Sequence, residues 1–403
     1  MNKETFIEKY AVERLGTNSL KWDALDRRFG DPNLLAMWVA DMEFRTPDEV
    51  IKAVTDRVSH GVYGYSYVTD SYYDSVIKWH ENRHKVTIKK EWFRFSLGVV
   101  ASLYWIVDAF TKPGESVMII TPVYYPFHNA VKDNDRKLVR SELINTNGVY
   151  TIDFEDFENK IVENQVKLFI QCSPHNPVGR VWTETELDKI LSICQKHGVL
   201  VVSDEIHQDI IIGDKEFIPA ARVGNGKYLD NLITVNAASK SFNLACLLNS
   251  HVFISNESIR KQYDAYAKIA NQIEVNILGL VATEAAYDYG EEWLSGLLNV
   301  IKHNYNYLKT QLAERAPKIV LAELEGTYLT WLDLRAYVKP EDTKAFIQGK
   351  CNLAVDFGEW FSDECQGFVR LNMATEPRYV EQAVENIIKN IDALKTGGAN
   401  ENS

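Results

Sequence analysis

Three short apolar runs that stop abruptly in polar residues constrain the fold more than any other feature of the chain. They cover residues 166–172, 199–203 and 232–235. Each is short and nearly continuous, which suits a strand covered on both faces. The stretches between them carry helical spacing. Thr183, with Glu186 three residues on, predicts a capping box at the start of a helix reaching residue 197. Further strands are expected over 116–120, 137–140 and 251–254, and helices over 103–110, 123–133 and 152–163. This alternation predicts an α/β architecture with a mainly parallel sheet and right-handed crossovers. Ligands in such sheets bind beyond the carboxyl ends of the strands.

Those ends are chemically unusual. The first run is followed by Ser173-Pro-His-Asn-Pro-Val-Gly-Arg180, the second by Asp204-Glu-Ile-His207, and the third leads to Ser239-Lys240. A buried strand ending in two acids is costly unless something positive meets them. A lysine delivered to the mouth of a sheet can form a Schiff base with a carbonyl, and desolvation makes its amine a nucleophile and a base. Upstream, Phe95-Ser-Leu-Gly98-Val-Val-Ala-Ser102 reads as a strand-like segment whose glycine opens an apolar helix. The free N–H groups there, at the positive end of the helix dipole, suit a phosphate. One cofactor needs this whole set. Pyridoxal phosphate requires a lysine for its aldehyde and a carboxylate to keep its ring nitrogen protonated. It also requires a donor at its phenolic oxygen and N–H groups for its phosphate. Lys240, Asp204, Asn176 and the Gly98 turn supply these.

Composition narrows the function further. The 403 residues exceed one ordinary core, so two domains are expected. A net charge of −12 lacks the basic footprint that nucleic acid or an anionic membrane would need. Cys172, Cys194, Cys246, Cys351 and Cys365 are scattered and show no Cys-x-x-Cys spacing, which fits a reduced compartment. The first ten residues are charged and lack an apolar signal core, and no apolar run of about 18 residues occurs. A cytoplasmic protein is expected. The large, ligand-binding domain is expected over residues 46–280. Its helices should span 47–59 and 71–84, with a glycine-and-tyrosine loop at 60–67 between them. A smaller α+β domain is expected from 1–45 and 281–395, ending in an amphipathic helix over 380–394. Residues 396–403 are expected to form a disordered tail.

The Asn-Pro-x-Gly, Asp-x-x-His and Ser-Lys elements, in this order, resemble the fold-type-I pyridoxal-phosphate enzymes of the class I/II aminotransferase superfamily. The resemblance runs over roughly residues 15–395. Six more selective stretches resemble the cystathionine β-lyase and cysteine C–S lyase branch, the MalY/PatB type. They are Trp38-Val-Ala-Asp-Met-Glu-Phe, His60-Gly-Val-Tyr-Gly-Tyr, Ser203-Asp-Glu-Ile-His, Ser239-Lys-Ser-Phe-Asn, Thr327-Tyr-Leu-Thr-Trp-Leu-Asp and Gly367-Phe-Val-Arg-Leu-Asn.

The resemblance implies a large domain whose mainly parallel seven-stranded sheet is sandwiched by helices, beside the smaller α+β domain. It implies that Lys240 is the Schiff-base lysine and the base, and that Asp204 pairs with the pyridinium nitrogen. Asn176 donates to the phenolic oxygen, and His207 stands where many relatives place a tyrosine with a similar role. Tyr124 stacks on the ring. Backbone N–H groups of Val99 and Val100 and the hydroxyl of Ser239 hold the phosphate. Arg370 binds the substrate carboxylate, with Asn176 and Ala40 completing the substrate site. Tyr65, counted among the catalytic residues, reaches the phosphate in the neighbouring subunit, so a homodimer with shared sites is implied. Two positions depart from many relatives: Ala237 replaces a serine and Leu248 replaces a phosphate-binding arginine. The phosphate then depends more on N–H groups, Ser239 and Tyr65.

The implied activity is β-elimination of a thiol from an S-substituted L-cysteine, giving pyruvate and ammonia. An aminotransferase needs the same groups, and a regulatory protein that retains the fold is a further alternative.

Overall fold

Buried apolar strands build the centre of the molecule. The computed structural model describes residues 1–271 and 275–397. Its strands are β1 (Leu35–Ala36), β2 (Phe93–Ser96), β3 (Ser116–Thr121), β4 (Lys137–Thr146), β5 (Val149–Ile152), β6 (Leu168–Cys172), β7 (Leu200–Asp204), β8 (Leu232–Asn236), β9 (Ser250–Ile254), β10 (Val320–Leu321), β11 (Leu329–Asp333), β12 (Leu353–Ala354), β13 (Asp356–Phe357) and β14 (Phe368–Asn372). Every residue of β3, β6, β8 and β9 is buried, as a sheet covered on both faces demands. The large sheet runs in the order β2-β9-β8-β7-β6-β3-β4-β5. Pairings from β4 through β8 across β3, β6 and β7 are parallel, while β2, β9 and β5 join antiparallel.

The sheet has eight strands where seven were expected. The segment expected to be a short strand over 137–140 continues to Thr146 and turns back at Asn147 and Gly148. Both turn residues have positive φ, 51° and 86°, so the two-residue loop closes a hairpin and adds β5 at the edge. The following helix therefore starts at Phe154, with the Asp153 carboxylate accepting from the N–H groups of Glu155 and Asp156. The helix Glu184–Lys196 begins with both halves of the expected capping box.

A second sheet, β10-β11-β14-β13, is antiparallel throughout. The parallel pair β1 and β12 ties the N-terminal segment to this part of the chain. The helix Pro377–Gly397 closes it, and residues 398–403 of the expected tail lie outside the described residues. Among the described residues, no helix is long and apolar enough to cross a membrane.

The site is positioned by strand order. β3 and β6 are neighbours, yet the chain leaves β3 towards β4 on one side and leaves β6 towards β7 on the other. At such a switch point the loops part and a crevice opens beyond the carboxyl ends.

Candidate active site

Four strand ends converge on that crevice. Tyr124 follows β3, Asn176 follows β6, Asp204 ends β7, and Lys240 lies in the short helix Ser239–Phe242 that follows β8. The Tyr124 N–H donates to the Asn176 carbonyl at 3.2 Å, tying the two parted loops together. Ala40, Val99, Val100, Tyr124, Asn176, Asp204, His207, Ser239 and Lys240 line one pocket, with Gly98 at its edge. The sequence reading did not anticipate the walls made by Phe127, Cys172, Ile206 and Ala245. Their apolar character was visible, but nothing in their spacing aims them at a crevice.

Burial sets the electrostatics. Asp204 is buried, and its carboxylate accepts the Ile206 N–H at 3.0 Å. Desolvation pushes its pKa up to about 7, with Ile206 and Lys240 pulling it down less. Desolvation likewise pushes Lys240 down to about 8, opposed by the nearby Asp41 and Asp204 carboxylates. Lys240 Nζ donates to the Ala40 carbonyl at 2.8 Å. His207 is held well below its ordinary value by burial, and Lys240 and Arg370 add to the effect. It is therefore a neutral imidazole, and its buried Nδ1 has no partner.

Arg370 sits in mid-strand on β14, 2% exposed, immediately behind this wall. Its Nη1 donates to Asn176 Oδ1 at 2.9 Å and its Nη2 to the Trp38 carbonyl at 3.3 Å. It also forms an ion pair with Asp356, a residue the sequence reading missed. Burial raises the Asp356 pKa, and Arg370 opposes the rise. The buried Nε of Arg370 has no partner.

Glu205 faces elsewhere. It accepts from Ser203 Oγ at 3.0 Å and from the Ala220 N–H at 2.8 Å, and it lines a separate small cavity with His80. Two neutral donors meet this second acid, and burial pushes it up to about 8.

Pyridoxal phosphate fits these residues. Asp204 is a buried acid whose carboxylate is met only by a backbone N–H, and a protonated ring nitrogen would supply a cationic partner. His207, whose buried Nδ1 has no partner, lines the same pocket. At the rim, Gly98 caps the helix Val99–Phe110 with no side-chain capping bond, and a Cβ placed on it would meet nothing within 4 Å. The first N–H groups of that helix, at Val99 and Val100, lie in the lining of the same pocket and suit an anion. Leu248 is 46% exposed and brings no charge to the site.

Tyr65 lies apart. It is 98% exposed and lines a different surface hollow with Tyr63, Ser66, Val275, Asn276 and Ile277. Within one chain it does not reach the pocket.

Comparison with known proteins agrees with this geometry. The description "aminotransferase class I and II" matches residues 34–387. The chain is 38% identical over 361 residues to cystathionine β-lyase PatB of Bacillus subtilis strain 168, spanning 89% of this chain and 93% of PatB. It is 32% identical over 388 residues to protein MalY of Escherichia coli strain K12, spanning 95% and 98%. Among solved structures, cystalysin from Treponema denticola, which contains a pyridoxal 5'-phosphate cofactor, superposes with a TM-score of 0.91 at 35% identity, covering 95% of this chain and 98% of cystalysin.

Proposed function

The chain belongs to the aminotransferase class I and II family, and we propose from that premise that it is a pyridoxal-phosphate-dependent carbon–sulfur lyase. The reaction is β-elimination from an S-substituted L-cysteine such as cystathionine. With one water, it yields the free thiol, pyruvate and ammonia. The observation that carries the reading is the convergence of Lys240, Asp204 and Asn176, backed by Arg370, on one pocket.

When bound, pyridoxal phosphate supplies an aldehyde that condenses with an amino group and a ring that accepts the electron pair left at Cα. Lys240, titrating at about 8, has a free amine in part of the population at neutral pH. Its Nζ takes the Cα proton. Asp204 holds the proton on the ring nitrogen, and the resulting ion pair stabilises its buried charge. Arg370, held by Asn176 and Asp356, orients the substrate carboxylate from behind the pocket wall. Phe127, Ile206 and Ala245 exclude water from the reacting atoms.

The test is to supply L-cystathionine with no keto acid. Equal amounts of pyruvate and thiol are expected. Turnover that appears only when a keto acid is added would identify an aminotransferase instead.

The same reading makes the protein a cytoplasmic homodimer with shared sites. It has a large domain at 46–280 and a smaller one from 1–45 and 281–395. Support comes from the exposed Tyr65 loop, the net charge of −12 and the placement of the two sheets in those two ranges.

A further inference from the structure

Lys240 shares its hydrogen-bond acceptor with a second buried side chain. The Ala40 carbonyl accepts from Lys240 Nζ at 2.8 Å and from the Tyr328 hydroxyl, also at 2.8 Å. The oxygen is fixed from both sides. Asn372 Nδ2 donates to the Val39 and Asp41 carbonyls, each at 2.7 Å, so the peptide between them cannot swing away without breaking both bonds. Tyr328 is fixed by its neighbour. Thr327 is fully buried at a φ of 69°, a conformation unfavourable for a β-branched residue. Its N–H donates to the Ile210 carbonyl at 2.9 Å, and Ile211 bridges Gly326. Strain of this kind persists where the surroundings over-determine it. Here it aims the Tyr328 phenol at Ala40.

We propose that Tyr328 is a positioning residue: by sharing the Ala40 carbonyl, it sets how firmly that oxygen holds the Lys240 amine. A carbonyl that already accepts a phenol O–H is a weaker acceptor for a second donor. The shared oxygen therefore restrains Lys240 in direction without locking its charged form in place. The inference rests on Lys240 being the reactive amine of the proposed lyase. The other groups facing that amine are Asp204 at the end of β7, His207 beyond it, Asp41 in the Ala40 loop, Arg370 on β14 and the Tyr124 phenol.

The experiment titrates the Lys240 amine in the cofactor-free full chain. Trace acetic anhydride labels the protein across a pH series, and mass spectrometry reads the extent at Lys240. In Tyr328→Phe the carbonyl is left to Lys240 alone, and the titration should move up by about 0.5 unit, the size of mutual polarisation between neighbouring hydrogen bonds. With 3,5-difluorotyrosine at position 328 the phenol is a stronger donor, and the titration should move down. That variant keeps the heavy-atom contacts of the hydroxyl, so it tests the proposal even where phenylalanine lowers stability. Tyr228→Phe loses a hydroxyl bonded to Asp188 at 2.6 Å, far from the pocket, and should move nothing. An unmoved titration in Tyr328→Phe, or the same sign for both changes at 328, overturns the proposal. Absence of lyase turnover in the unaltered enzyme would overturn the proposed function alone, because the titration is read without turnover.

Discussion

Asp204 and Glu205 are adjacent in sequence, yet one faces the pocket and the other a cavity lined by His80. Burial raises them to about 7 and about 8. A carboxyl raised in this way keeps its proton in the folded chain at a pH where the unfolded chain has released it. Its contribution to stability is complete below the unfolded value and disappears as pH rises through the folded value. Buried histidines act in the opposite sense. His80, His128 and His175 are pushed down to about 4 and His251 to about 3, so their contribution grows as pH rises towards the ordinary value of about 6.5. Lys240, lowered to about 8, acts in the same sense near and above that pH. Between about 6.5 and 8 the two acids still lose stability, while the histidines, half-charged in the unfolded chain at pH 6.5, and Lys240 offset most of that loss. Net stability of the cofactor-free chain should therefore change little over this window, but Glu205 alone should lose about 2 kcal/mol between pH 6.5 and pH 8. Glu205→Gln, which has no proton to lose in this window, should therefore gain about 2 kcal/mol relative to the unaltered chain between the two pH values. Thermal unfolding at the two pH values measures it. The same pH dependence in the glutamine variant and the unaltered chain would mean that Glu205 is not the titrating group.

At the level of elements, the helix Val99–Phe110 makes a separable prediction. Gly98 has a φ of 161°, extended backbone open to any residue, and a Cβ there has nothing within 4 Å. Gly98→Ala should therefore leave the unfolding temperature of the cofactor-free chain unchanged. The added methyl would stand where the phosphate meets the helix N–H groups, and loss of one such bond should weaken cofactor binding roughly tenfold or more. Unaltered affinity would place the phosphate elsewhere. The elements of this site were legible where local chemistry decides them. The Thr183–Glu186 capping box and the polar ends of β6, β7 and β8 needed only their own neighbours. The Asn147-Gly148 turn carries its own local signal, but the strand expected over 137–140 ends before it, so the hairpin lies beyond that expectation. Tyr328 and Asp356 were not legible in their roles. Tyr328 acts on a carbonyl 288 residues away, and Asp356 on Arg370 across a strand pair. No local period records such contacts.

At the scale of the whole molecule, the loop that carries Tyr65 is left largely uncovered by the rest of its own chain. Tyr63, Tyr65 and Tyr67 are 58%, 98% and 79% exposed, with Val62 beside them at 59%. Contiguous exposed apolar surface of this kind marks an interaction site, and aromatic residues are enriched where proteins meet. A second copy of the chain, seated on this loop, would bring the Tyr65 hydroxyl to a phosphate held by the helix Val99–Phe110 of its neighbour. The pocket has no arginine among its lining residues, so in such a dimer that hydroxyl would carry more of the phosphate charge. A hydrogen bond to a charged group contributes about 1.5–3 kcal/mol, so Tyr65→Phe should weaken cofactor binding about 10- to 150-fold. Excess pyridoxal phosphate should restore part of the activity. Mixing decides whether the site is shared. If the chain is a homodimer with shared sites, Tyr65→Phe and Lys240→Ala homodimers should each be impaired at both sites. In a mixed dimer with shared sites, one site carries both defects and the other carries neither, so activity should reappear as subunits exchange. Exchange verified by native mass spectrometry with no return of activity would mean that Tyr65 serves its own chain's site or none.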